Sequence, residues 1–322
     1  MVKKAIITGI TGQDGSYLAE LLLEKGYEVY GMVRHSSNPN YWRIKHLLGK
    51  IKLIDGDLTD PSSIASAISK VMPDEFFNMA AQSFVGLSWS QPLLTTEVTG
   101  VSVLHILESI RNIKPDCKFY QASSSEMFGK VHEVPQTENT KFHPRSPYGT
   151  AKAFAHHTVV NYRESYNMYA VGGILFNHES ERRGIEFVTR KITDAVARIS
   201  LGKQKELRLG NLDSKRDWGH AKDYVLAAWM MLQQKEPKDY VISTDQTHTV
   251  EEFCKIAFDV VGLNYKDYVV IDPAFVRPAE VDLLLGNSSL ARKELGWTPK
   301  ISFNELVESM VKADLERVKL EK

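Results

Sequence analysis

A tyrosine and a lysine stand four residues apart in Tyr148-Gly-Thr-Ala-Lys152, downstream of a serine run that ends in an acid, Ser123-Ser124-Ser125-Glu126. At i and i+4, two side chains share one face of a helix. A free phenol, with a pKa near ~10, is a poor base at neutral pH, and an ammonium ion beside it favours the phenolate. Ser124 can hydrogen-bond the same substrate hydroxyl and aim its proton at Tyr148. These groups suit removal of a proton from an alcohol while a cofactor takes the hydride. Glu126 adds a second acid or base that plain alcohol oxidation does not need. Alone, a Tyr-x-x-x-Lys pair is more often an ordinary helix face; what raises it here is its company at the amino terminus.

The chain opens Lys3-Lys4-Ala5-Ile6-Ile7-Thr8-Gly9-Ile10-Thr11-Gly12-Gln13-Asp14-Gly15 and continues with Tyr17, Leu18, Leu21 and Leu22 at helical spacing. An apolar run, a glycine-punctuated turn and an amphipathic helix make the first half of a βαβ dinucleotide site. Gly9 permits the tight turn, Gly12 lets backbone approach a pyrophosphate, and Gly15 lets the helix pack on the strand. The helix amino terminus offers N–H donors and partial positive charge to the phosphates. Spaced glycines arise by chance; the strand before and the helix after give these a function. After the next strand, an NAD site places an acid for the ribose 2′-hydroxyl, whereas an arginine accommodates a 2′-phosphate. Here Arg34-His35-Ser36-Ser37 follows, and no acid occurs from residue 34 to residue 52. Arg34, with Ser36, Ser37 and the later Arg43, therefore favours NADP.

Among the elements that must hold these residues, apolar runs at 51–53, 75–79, 118–121 and 169–175 read as buried strands. Segments 62–71, 96–111 and 148–166 read as the helices between them. This is the alternation of a Rossmann-like, doubly wound parallel sheet in an α/β fold. Turn-rich segments follow several strands, where such a sheet places its ligand crevice. We expect residues 1–176 to form the NADP-binding domain, with 220–245 returning to it, and 177–322 to form a smaller substrate lobe.

At 322 residues the chain can bury a large core, and its 40 acidic and 40 basic residues cancel. Nothing in that balance points to nucleic acid or to a polybasic membrane contact. The cysteines, Cys117 and Cys254, lack metal-ligand spacing, so no metal is expected and a reducing, cytoplasmic compartment is. No apolar run is expected to approach membrane-spanning length.

The Gly9-to-Gly15 turn, Asn78-Met79-Ala80-Ala81-Gln82-Ser83, the serine run with Glu126, Tyr148 and Lys152, and Leu295-Gly296-Trp297-Thr298-Pro299 resemble the extended short-chain dehydrogenase/reductase family. Within it, Leu175-Phe176-Asn177-His178-Glu179-Ser180, Arg216-Asp217-Trp218-Gly219 and Arg277-Pro278-Ala279-Glu280-Val281 resemble the GDP-mannose 4,6-dehydratases. The likeness spans essentially the whole chain, with two departures: Ser124 stands where the family usually has threonine, and Glu181 where it usually has proline.

The resemblance implies a catalytic set of Ser124, Glu126, Tyr148 and Lys152. For the cofactor it implies Thr11, Gln13, Asp14, Asp57, Leu58, Met79, Ala80, Ala81, Gln82, Ser83, His178 and Arg183 beside the glycines and Arg34. For a GDP-sugar it implies Ser83, Asn177, Val188, Lys191, Arg216, Arg277 and Glu280, together with Ser124 and Glu126. Arg216 has the commoner alternative of an ion pair with Asp217. An epimerase or a keto-sugar reductase of the same fold would share Tyr148 and Lys152 but would not need Glu126. A non-catalytic NADP-sensing protein would need only the glycine turn. A homo-oligomer, dimer or tetramer, is also expected, with helices around 104–110 and 153–162 in one interface and the loop holding Tyr41 and Trp42 in another.

Overall fold

The computed structural model describes residues 2–275 and 283–321. Its centre is a seven-stranded sheet of β1 (Lys4–Thr8), β2 (Glu28–Val33), β3 (Lys52–Asp55), β4 (Glu75–Asn78), β5 (Lys118–Ser124), β6 (Ala170–Leu175) and a last strand, Tyr240–Ile242. The order is Tyr240–Ile242, β6, β5, β4, β1, β2, β3, and every neighbouring pair is parallel. Chain direction across the sheet reverses between β1 and β4, so the crevice must open above their carboxyl ends.

Sequence accounts for the layers. β6, Ala-Val-Gly-Gly-Ile-Leu, is buried at every position, as a strand covered on both faces requires. The helix Gln13–Glu24 buries Tyr17, Leu18, Ala19 and Leu22, and Ala221–Leu232 joins the same core through Tyr224, Val225, Ala228 and Met231. On the opposite face, Pro61–Val71 and Ser102–Ile113 share a core with one side of Pro147–Tyr166. A third core, containing Ile192, Val196, Phe253, Phe258, Leu306 and Met310, joins Val188–Ser200, Val250–Asp259 and Phe303–Leu320. Buried Arg190 is clamped there by Asp314 at 2.6 Å.

The stretch after β4 differs from the expected turn followed by one long helix. Short helices at Val85–Ser88 and Pro92–Thr96 and a π-helical turn at Glu97–Val101 precede Ser102–Ile113. Against expectation, the run Pro92–Ile113 is long and apolar enough to cross a membrane by length and composition. Val103, Ile106, Leu107 and Ile110 are nonetheless fully buried against the sheet, and His105, Glu108 and Arg111 lie between them, which makes it a core helix of this fold.

Candidate active site

The crevice begins at the turn between β1 and Gln13–Glu24. Gly9 has φ +67°, and a Cβ there would lie 2.9 Å from the backbone of Ala80 at the end of β4. A Cβ on Gly15 would come within 2.3 Å of the Gly9 carbonyl oxygen. The turn is closed by Gly12 N–H donating to Gly9 O at 2.8 Å. Gly12 then caps the helix with no side-chain bond, so the first-turn N–H groups face outward as anion donors. Thr8 Oγ1 donates to Asn78 Oδ1 at 2.6 Å and accepts from Ala80 N at 3.1 Å, tying β1 to β4 at the switch point.

Met79, Ala80, Ala81, Gln82 and Ser83 leave the end of β4 together. Gln82 Oε1 is buried and has no partner among the described residues. Arg34, Ser36 and Ser37 stand exposed beyond β2, with Asp57 and Leu58 beyond β3. Arg43 reaches back over the turn, donating to Thr11 O at 3.3 Å and to Arg182 O at 2.6 Å. A cradle that admits no Cβ, an uncapped helix end and an orphaned amide oxygen fit a dinucleotide.

The reactive groups converge on a cavity of about 130 Å³ lined by Met79, Ser83, Ser124, Glu126, Tyr148, Lys152, Asn177, His178 and Arg183 among others. Ser124 ends β5, and its Oγ accepts from Glu126 N at 3.2 Å, which turns Glu126 into the crevice. Ser146 caps the next helix by accepting from Gly149 N at 3.0 Å, with Pro147 at its first position. Tyr148 and Lys152 follow on that helix, both buried.

Electrostatics correct one expectation. Lys152 Nζ donates to Ala122 O at 2.6 Å and sits 5.8 Å from the centre of the Tyr148 ring. Burial pushes the Lys152 ammonium down to about 8, partly offset by the Asp14 carboxylate. Burial pushes the Tyr148 phenol up to about 12; the Ser124 hydroxyl works against this, while the Glu126 charge adds to it. Desolvation therefore outweighs the pull of the Ser124 hydroxyl and the Arg183 charge, and the polypeptide by itself favours the protonated phenol.

His178 sits with Nδ1 2.7 Å from Phe176 O and Nε2 2.9 Å from Asp14 Oδ2. Both ring nitrogens face acceptors, an arrangement that favours the doubly protonated imidazolium. Burial opposes its charge, but Asp14 wins and raises the His178 pKa. Burial likewise opposes the Asp14 carboxylate, yet the imidazolium brings it down to about 2. Gln13 Nε2 donates to His178 O at 3.1 Å, and Gln13 Oε1 accepts from Ser180 Oγ at 2.8 Å. Gln13 and Asp14 thus lock the glycine turn to the 177–183 loop. Glu181, which stands where the family usually has proline, accepts from Tyr17 OH at 2.6 Å and pins that loop to the same helix. Tyr17 lies in turn under the Arg182 guanidinium at 3.9 Å.

At the other end, Asn177–Glu179 pairs in parallel with Trp218–His220. Arg216 is buried in a ladder with His248. Asp217 accepts from Thr244 N, Thr244 Oγ1 and Asp245 N, at 2.9, 2.7 and 3.1 Å. Val188 is exposed at the start of its helix, and Lys191 lies 3.4 Å above the Phe275 ring in a separate cavity of about 330 Å³. Arg216 lines neither cavity; Arg277 and Glu280 lie outside the described residues. Phe84 and Phe187 also line the catalytic cavity, and sequence reasoning passed over both. Their only signal was adjacency, to Ser83 and to Val188.

A doubly wound sheet that carries a glycine cradle on β1 and a serine, tyrosine and lysine between β5 and the next helix has the architecture of the short-chain dehydrogenase/reductase type. Its backbone is shared with dTDP-glucose 4,6-dehydratase from Streptomyces venezuelae, with NAD bound (TM-score 0.87, 21% identity, 98% of each chain). UDP-glucose 4-epimerase from Thermotoga maritima shares it too (TM-score 0.86, 24% identity, 99% of this chain and 100% of that one). Sequence narrows the class. The family model described as GDP-mannose 4,6 dehydratase matches residues 6–310. GDP-mannose 4,6 dehydratase 1 of Arabidopsis thaliana is 52% identical over 99% of this chain and 92% of its own. The Homo sapiens enzyme is 50% identical (97% and 91%) and that of Vibrio cholerae 49% (98% and 94%). The chain belongs to the GDP-mannose 4,6-dehydratase family.

Proposed function

We propose that this enzyme converts GDP-mannose to GDP-4-dehydro-6-deoxy-mannose and water, with NADP as a cofactor regenerated in every turnover. The observation that carries the reading is a carboxylate, Glu126, in the same cavity as Ser124, Tyr148 and Lys152. The glycine turn, the Met79-to-Ser83 backbone, Asp57, Leu58, His178 and Arg183 would hold the dinucleotide, and Arg34, Ser36 and Ser37 its 2′-phosphate. When bound, a nicotinamide supplies a reversible hydride acceptor and, oxidised, a positive charge that favours a phenolate.

Ser124 Oγ fixes the C4 hydroxyl, and Tyr148 Oη takes its proton as C4 becomes a ketone. The ketone acidifies the C5 proton, because the resulting carbanion delocalises as an enolate. Glu126 takes that proton and delivers one to the departing C6 hydroxyl, which leaves as water. Tyr148 returns its proton at C5 as C6 becomes a methyl group. Epimerisation or keto-sugar reduction expels nothing and leaves Glu126 without a role. Arg216, with Arg277 and Glu280, serves the nucleotide end alongside Asn177, Val188 and Lys191, two arginines suiting a diphosphate. The protein works in a reducing, cytoplasmic setting, in keeping with its free, buried Cys117 and Cys254, and as a homo-oligomer.

The test is incubation with GDP-mannose and a catalytic amount of NADP⁺, followed by mass spectrometry. A product lighter by one water is expected; its absence refutes the reading.

A further inference from the structure

Phe84 and Phe187 perform no acid–base chemistry, yet they line the same cavity as Ser124, Glu126 and Tyr148. One comes from the loop after β4 and the other from the residue that caps Val188–Ser200, so they reach the cavity from segments distant in sequence. Their rings meet edge to face, with centroids 5.7 Å apart at 77°. Each ring is packed against a neighbour. The Phe84 ring lies over Gly86, where a Cβ would be 3.1 Å from its Cζ. The Arg183 guanidinium sits 3.5 Å above the Phe187 ring. Their backbones are fixed as well, since Phe84 O accepts from Leu87 N at 3.0 Å and Phe187 O from Lys191 N at 2.8 Å.

Resting on the functional reading above, we infer that Phe84 and Phe187 form a water-excluding closure that decides the fate of the unsaturated intermediate. Once the C6 hydroxyl has left, C6 is the electrophilic end of an enone. Hydride arriving there completes the reaction. Water arriving there reverses it: the water oxygen bonds to C6, one of its protons goes to C5, and the C5–C6 π pair becomes the new C–H bond. Reversal of the first oxidation then returns GDP-mannose with an oxygen from solvent at C6. Half-buried where they line the cavity, the two touching rings present water with an apolar wall that offers it no hydrogen-bonding partner.

The experiment runs the complete enzyme with NADP⁺ in oxygen-18-enriched water, stops at partial conversion and measures the label at C6 of recovered GDP-mannose, apart from any that reversible hydration of the 4-keto group leaves at C4. The parent enzyme is expected to return unlabelled substrate. Phe84→Ala and Phe187→Ala are expected to raise label in recovered substrate by at least about tenfold, a modest change in a partition between competing barriers. Phe84→Leu and Phe187→Leu keep apolar bulk and are read the same way, with exchange between parent and alanine levels. Glu126→Gln in the Phe84→Ala background should abolish exchange, because no enone forms. Variants that make product while their recovered substrate carries no more label than the parent's overturn the inference alone. A parent enzyme that makes no dehydrated product overturns the functional reading, and the inference with it.

Discussion

Burial sets the behaviour of individual residues in this crevice more than pairwise attraction does. Lys152 shows it best: an ammonium ion with a single carbonyl partner, taken out of water, its pKa lowered from 10.5 to about 8. Below pH 8 both folded and unfolded chains carry that proton, and the folded one bears the desolvation cost, on the order of 3 kcal/mol at about 1.36 kcal/mol per pKa unit. Between about 8 and 10.5 the unfolded chain holds a proton that the folded chain has released, so stability rises with pH across that window. Lys152→Met keeps the bulk and removes the charge. It should be inactive yet more stable than the parent at pH 7, by roughly 1–3 kcal/mol in chemical denaturation. Its advantage should shrink as pH rises through that window; a variant less stable than the parent at pH 7 contradicts this account. Glu126→Gln tests a different property, since it keeps shape and removes the base. Dehydration should fall by about 10²–10⁴-fold while binding of NADPH, followed by its fluorescence, stays within a small factor of the parent.

Single elements carry the specificities, and their legibility in the sequence varied with how local their determinants are. The β1 turn and the helix with Tyr148 and Lys152 were plain, because glycine spacing and an i, i+4 pair are local signals. The ladder of Asn177–Glu179 with Trp218–His220 was not, since such short strands show no periodicity and exist only through each other. The π-helical turn at Glu97–Val101 was hidden for a similar reason: a Cβ on Gly100 would meet Ala151 O at 3.2 Å, a tertiary contact without local signature. The raised Tyr148 pKa and the Phe84–Phe187 contact likewise depend on segments distant in sequence. The loop after β2 is again local, and its chemistry is testable. Arg34→Asp sets a negative charge against the ribose 2′-phosphate. Affinity for NADPH, measured by fluorescence titration, should fall by at least about tenfold, while NADH gains relative to it. A parent enzyme that prefers NADH at the outset contradicts the reading of this loop.

At the scale of the whole molecule, several large apolar side chains are left exposed around one group of helices. Leu93 is 86% exposed and Phe154 47%, with Trp89, Leu94 and Tyr166 also exposed around the helices Pro92–Thr96, Ser102–Ile113 and Pro147–Tyr166. Apolar side chains exposed on packed helices are costly to leave in water and would pack readily against a second copy of the same face. Pro147–Tyr166 also carries Tyr148 and Lys152, so a partner on its outer face would stiffen the element that places the catalytic pair. Trp42, 49% exposed beside Arg43, marks a second surface near Arg34. In light scattering the parent protein should run at twice or four times the mass of one chain, and Phe154→Glu, which puts a charge into the first face, should lower that assembly. Trp42→Ala should affect only the step from dimer to tetramer, and more strongly without NADP than with it if, as proposed, a 2′-phosphate bound by Arg34, Ser36 and Ser37 orders the loop. A parent protein that is monomeric at micromolar concentration with NADP bound refutes the assembly. A Phe154→Glu protein that keeps its full mass shifts the interface elsewhere.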